Sequence, residues 1–324
     1  MDNQLPWIIL IAHVLLLLAI DFLVLHRKDA PVSSKRALRE TIFFVSNALA
    51  FTAVVYWLYS TSMVDNVNHL TPRESVVKFI TGYLIELSLS VDNLFVIALI
   101  FEGYRIPRQY QHRLLFLGIL GAIVFRAILI ALGLALLREF HSVSIVFGVF
   151  LLYTAFRMLR KEATHDAPRQ PQLVSRFFRI SDTIDGHKFR TKVNGKTVFT
   201  AMFGALITIE LTDLLFAVDS IPAIFAVTTD PFLVFSSNIF ALMGLRSLYF
   251  FLAGMLEKFK YLKYSVFSIL IFVALKLITS SWVDIPEWFS LLFIACSLAM
   301  GVWISIIRIR ENDDVITETE NRTK

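Results

Sequence analysis

The chain is predicted to be an all-α membrane protein of nine transmembrane helices, six of which form an inverted repeat of three plus three helices. Three observations carry that prediction. Apolar runs long enough to cross a bilayer recur along the 324 residues, of which 56% are hydrophobic and 18% charged. Basic residues gather in every second loop between those runs, and an acid-bearing motif in the third run returns in the sixth.

Composition narrows the function classes first. A mean hydropathy of +0.68 lies far above that of an average water-soluble domain. The net charge of +5 would fit a nucleic-acid binder. The basic residues lie in loops, however, and no polar segment interleaves them with aromatics, so no nucleic-acid partner is expected. One cysteine, Cys296, sits in the last apolar run, which excludes an intrachain disulfide or a dithiol redox pair. No enzymatic activity and no tightly bound cofactor are expected. The first segment, MDNQLPWIILIAHVLLLLAIDFLVLHRK, lacks a basic start and a small-residue cleavage site. Its basic cluster follows the apolar run, which predicts a retained first span.

A helix needs roughly 20 apolar residues to cross the hydrocarbon core. Runs at 6–25, 41–60, 76–101, 113–137, 142–159, 198–227, 233–256, 264–282 and 287–307 approach that length. Loop charges test the count. Arg27, Lys28, Lys35, Arg36 and Arg39 follow the first run; Arg105, Arg108 and Arg113 follow the third. A dense set from Arg157 to Lys196 follows the fifth, Lys258, Lys260 and Lys263 the seventh, and Arg308 and Arg310 the ninth. The alternate loops hold Arg73, Arg138 or no basic residue. The positive-inside rule then predicts a periplasmic N-terminus, a cytoplasmic C-terminus and an odd number of spans.

The chain divides accordingly into two N-terminal helices (1–60), a first repeat (61–159), a cytoplasmic loop (160–197), a second repeat (198–282) and a last helix with its tail (283–324). Within the loop, KFRTKVNGKTVF alternates around Asn194-Gly195, the pattern of a small two-residue β-hairpin.

The repeat is read from YLIELSLSVDNLFVI in the third run and IELTDLLFAVDSIPAI in the sixth. Aligning Glu86 with Asp213 places Asp92 on Asp219 and Asn93 on Ser220. The match continues in order, with Arg126 in GAIVFRAILI against Arg246 in ALMGLRSLYF, and Arg157 against Lys276. Units of three spans enter the membrane from opposite sides, the arrangement by which many secondary transporters build a site at the midplane. The plain alternative is that two helices share a short motif by chance.

Six acids lie within the runs: Asp21, Glu86, Asp92, Glu210, Asp213 and Asp219. Each costs roughly 2.5–3.5 kcal/mol at a helix centre unless it faces a polar cavity and finds a partner. Asp21, near the end of its run, is expected to reach headgroup water; the other five are deeper. Glu210 and Asp219 point nearly opposite ways on a straight helix. Pro222 removes the donor that would serve the Val218 carbonyl, and a break there would let the acids converge.

Glu86, Asp92, Asn93, Glu210, Asp213, Asp219 and Ser220 are thus the candidate metal-site residues. Their hard oxygen donors suit Mg²⁺, Ca²⁺ or Mn²⁺. His13 and Cys296 are isolated and read as packing residues. Arg126, Arg246 and Lys276 are the candidate counter-charge or gating residues, replacing the cation when the site is empty. A purely structural buried salt-bridge network is the bland alternative.

The strings YLIELSLSVDNLFVIALIF, IELTDLLFAVDSIPAIFAVTTDPF and SSNIFALMGLRSLYF resemble the TerC family, most closely its Alx-like branch. The likeness runs from LAIDFLVLHRK through SDTIDGHKF to the last run. It implies an inverted-repeat exporter of the LysE type in the bacterial inner membrane, with manganese(II) as the transported ion. Links to tellurium resistance and alkaline induction come with the family, as do two rival roles: membrane-bound redox modulator and membrane-protein assembly factor. The expected partners are the lipid bilayer and a divalent cation substrate, an arrangement compatible with a homo-oligomer.

Overall fold

The computed structural model describes residues 4–22, 34–66, 68–139, 143–160, 178–181, 183–193, 196–252, 262–279 and 285–322. Over these the chain forms nine helices: α1 (Leu5–Ile20), α2 (Ser34–Ser60), α3 (Pro72–Gly103), α4 (Arg108–Glu139), α5 (Val143–Arg160), α6 (Ala201–Phe225), α7 (Pro231–Leu252), α8 (Leu262–Thr279) and α9 (Glu287–Arg322). Among the described residues, α2, α4, α6, α7 and α9 are long and apolar enough to cross a membrane; α1 and α8 are apolar but shorter. Strands β1 (Arg190–Val193) and β2 (Lys196–Phe199) pair antiparallel, Arg190 opposite Phe199 and Val193 opposite Lys196. The expected turn at Asn194-Gly195 lies outside the described residues.

Local chemistry fixes the helix starts. Thr71 and Glu74 form a reciprocal capping box at the head of α3, with Pro72 at the first helical position. The Asp230 carboxylate accepts hydrogen bonds from the backbone N–H groups of Phe232 and Leu233 at 3.0 and 3.2 Å, which caps α7.

Helix α7 is the centre of the fold. It is buried on nearly every side and packs against α1, α2, α3 and α4, as a helix apolar all round must. Helix α3 packs on α7 and α4 on α6, while α5 pairs with α8. Each of these three contacts has a glycine facing the partner helix with no room for a Cβ. A Cβ on Gly82 would stand 2.8 Å from the Ser237 hydroxyl, one on Gly133 2.6 Å from the Phe225 ring, and one on Gly148 2.6 Å from Ile278. Small residues let helix backbones approach where no hydrophobic effect pulls them together.

Large apolar side chains also line the outside at helical spacing: Ile8, Ile11 and Leu15 on α1; Val124, Ile128 and Leu132 on α4; Leu211, Leu215 and Val218 on α6. Stripes of this size facing outward fit lipid rather than water. Cys296 is exposed on α9 rather than packed inside. Hydropathy cannot separate the two faces, because lipid tails are as apolar as the protein core. His13 does pack inside, its ring against Phe51 and Phe240 and its Nε2 2.8 Å from the Asn47 amide oxygen.

The break expected at Pro222 is absent: α6 runs as a helix through Pro222 to Phe225. The proline lies one turn from the helix end, so only one interior hydrogen bond is lost. With Leu211, Leu215 and Val218 on the outer face, about 100° per residue places Glu210 on a flank of α6 and Asp213 on the inner face.

Candidate functional site

At the centre of the bundle, four helices contribute one polar side chain each to a single network. Glu86 of α3, Arg126 of α4 and Asn238 of α7 are almost fully buried, and Asp213 of α6 is 15% exposed at its side chain. The Arg126 guanidinium forms an ion pair with Glu86 through Nη1. Nη2 donates to Asp213 Oδ1 at 3.1 Å and Nε to Oδ2 at 3.4 Å. Nη1 also donates to Asn238 Oδ1 at 3.1 Å, and the Asn238 amide donates to Glu86 Oε2 at 3.2 Å. Arginine suits this place because its planar fork can serve two carboxylates and a carbonyl at once.

Sequence alone proposes Glu86, Asp213 and Arg126 for this region, and the structure brings the three together. It does not propose Asn238. That residue lies in the Ser236-Ser237-Asn238 run of an apolar helix, and the cost of burying an unpartnered amide is the signal that could have found it. Two further expected ligands, Asp92 and Asp219, sit on α3 and α6, but their side chains lie outside the described residues. Asn93 is buried and lines a small cavity of about 40 Å³ together with Asp213, Thr212 and Arg246 among apolar side chains. That volume holds a water-sized species.

Glu210 lies one turn before Asp213 on α6 and packs against α4 at Gly121, where a Cβ would collide with its carboxylate. Its Oε2 is buried without a hydrogen-bond partner, as are the hydroxyls of Ser88, Ser90 and Ser220. Among the described residues, no group of three or more His, Cys, Asp or Glu is arranged to hold a metal ion. The described acids at the centre are joined through a guanidinium instead.

The other two candidate counter-charges take no part in this hydrogen-bond network. Arg246 of α7 pairs with Asp21 of α1 and lies over the Phe116 ring, its guanidinium carbon 5.8 Å from the centroid. Asp21 is therefore buried in an ion pair and not in headgroup water; its position near the end of a run concealed a basic partner 225 residues away in sequence. Lys276 of α8 donates to the Ser290 hydroxyl of α9 at 3.1 Å.

Chemically, the central network presents carboxylate and amide oxygens from three helices around the Arg126 guanidinium. Glu86, Asp213 and Asn238 supply hard oxygen donors of the kind that hold Mg²⁺, Ca²⁺ or Mn²⁺.

Comparison with known proteins agrees on the kind of molecule. The model of the TerC integral membrane protein family matches residues 71–313. An uncharacterised membrane protein of Myxococcus xanthus is 45% identical over 307 residues, covering 94% of this chain and 92% of that protein. One from Rickettsia bellii is 37% identical over 305 residues, covering 93% and 97%. The Alx protein of Escherichia coli K12, provisionally named a membrane-bound redox modulator, is 40% identical over 277 residues, covering 84% and 85%. No solved structure matches the chain.

Proposed function

The chain belongs to the TerC family of multi-pass integral membrane proteins, and from that premise we propose that it is a divalent-cation transporter of the bacterial inner membrane, with manganese(II) exported as its substrate. The observation that carries the reading is Arg126 held between Glu86 and Asp213 in the buried centre of the bundle. An arginine bound by two acids and an amide is the cation-free form of a site that exchanges a guanidinium for a metal ion. Its alternative, three unpaired polar groups in the core, would be costly.

The nine-span arrangement, its periplasmic N-terminus and its inverted repeat belong to the same proposal. The repeat is supported by helix pairing: α3 on α7 corresponds to α6 on α4, and α5 with α8 pairs equivalent helices. Glu86 and Asp213, equivalent in the alignment, share one guanidinium. Inverted repeats place substrate near the midplane and alternate access around it. In this scheme Asp92, Glu210, Asp219 and the neighbouring Asn93 and Ser220 receive the ion, while Arg126 returns between Glu86 and Asp213 after release.

Export of manganese predicts that cells carrying Asp92→Ala or Asp219→Ala accumulate more of the metal than cells carrying the wild type. Unchanged cellular manganese in both would end the exporter reading. The redox role named for relatives predicts instead a chromophore in the purified protein, which an absorbance spectrum reads directly.

A further inference from the structure

The Arg246 guanidinium poses a problem for any cation path through the central cavity. The Arg246 side chain is part of the wall that also contains Asp213 and Asn93. A buried positive charge opposes a dication strongly, because the interior screens charges far less than water does. Its partner, Asp21, comes from α1, outside the segment of 71–313 that the family model covers.

Asp21 directly follows α1, its N–H bonded to the Leu17 and Leu18 carbonyls. What the position offers is reach: α1 packs on α7, and Asp21 meets Arg246 where Phe116 of α4 covers the guanidinium face.

We propose that Asp21 is a positioning residue for cation entry: it holds the Arg246 guanidinium against Phe116 and cancels its charge, so that a divalent cation can approach Asp213 and Asn93. The inference rests on the transport reading and adds to it a residue of the N-terminal helix. Asp21 itself does not touch the ion. It acts through Arg246, and its effect is on affinity rather than on the transport step.

The test is manganese(II) binding to the purified full chain and its transport in proteoliposomes, for wild type, Asp21→Asn, Asp21→Glu and the double variant Asp21→Asn/Arg246→Gln. Asp21→Asn is expected to raise KM about tenfold or more with kcat within about twofold, the signature of lost ground-state affinity. Asp21→Glu keeps the charge and is expected to stay within about threefold of wild type, and the double variant to return to that range, because the coupling lies within the pair. Should Asp21→Asn fail to fold, the double variant carries the test with the same expected KM. An unchanged KM in Asp21→Asn, or a double variant as impaired as Asp21→Asn, overturns the inference alone. A wild type that neither binds nor carries manganese(II) overturns the transport reading and this inference together.

Discussion

Asp213 of α6 and Arg126 of α4 meet through two hydrogen bonds, Nη2 to Oδ1 at 3.1 Å and Nε to Oδ2 at 3.4 Å, while the same guanidinium pairs with Glu86 of α3. One side chain thus ties α4 to α3 and α6, and through Asn238 to α7, in the buried centre of the bundle. Removing it leaves Glu86 buried with Asn238 as its remaining described partner. Arg126→Leu should lower stability by about 3–5 kcal/mol, the usual cost of orphaning one half of a buried pair. Thermal unfolding in detergent checks this, and Arg126→Leu/Glu86→Gln should recover a large part of the loss.

Asn238 bridges both charges, accepting from Arg126 and donating to Glu86. Asn238→Leu removes both bonds and should cost about 1–3 kcal/mol. Transport of manganese(II) should fall with it, whereas Asn238→Asp should disturb the network differently, by setting a third acid beside Glu86. Melting curves and vesicle transport of the two variants separate these effects.

Gly121 gives the Glu210 carboxylate its room. Gly121→Ala must push that side chain aside, so overpacking should cost about 1–3 kcal/mol. If Glu210 receives the ion, transport should fall by about tenfold, equivalent to about 1.4 kcal/mol. Gly118→Ala, one turn earlier and 3.1 Å from a methyl group of Ile209, should be milder in transport.

Asp230, in the loop before α7, is held above its ordinary carboxylate range, chiefly by burial and in part by Asp65, against the lowering effect of the N–H groups it caps. An acid whose folded pKa is raised keeps its proton in the folded chain after the unfolded chain has lost it. Stability contributed by this group is therefore lost as pH rises above the ordinary Asp value of 3.8. Asn caps helices as well as Asp. The melting temperature of Asp230→Asn relative to wild type should thus rise as pH is raised from acid toward neutrality, and a constant difference would refute the assignment.

The charged residues of the network were legible because hydrocarbon makes them conspicuous: Glu86, Asp213 and Arg126 stand out in apolar runs, and the repeat pairs the first two. Partners were harder to read. Asp21 resembled an interfacial acid because nothing near it in sequence announces Arg246, which only the packing of α1 on α7 brings alongside. Asn238 hid in a polar run that looks like an ordinary helix start. Pro222 misled by its reputation, since a proline close to a helix end costs one bond and leaves the rod intact.

The central claim is that Glu86 and Asp213 exchange Arg126 for a transported divalent cation, and manganese(II) uptake into inside-out membrane vesicles tests it most directly. Wild type should accumulate the ion inside, while Glu86→Gln and Asp213→Asn should each lose about tenfold or more of the rate at equal protein content. Vesicles in which both variants carry manganese(II) as fast as wild type would show that the buried network is structural and that the ion travels by another route.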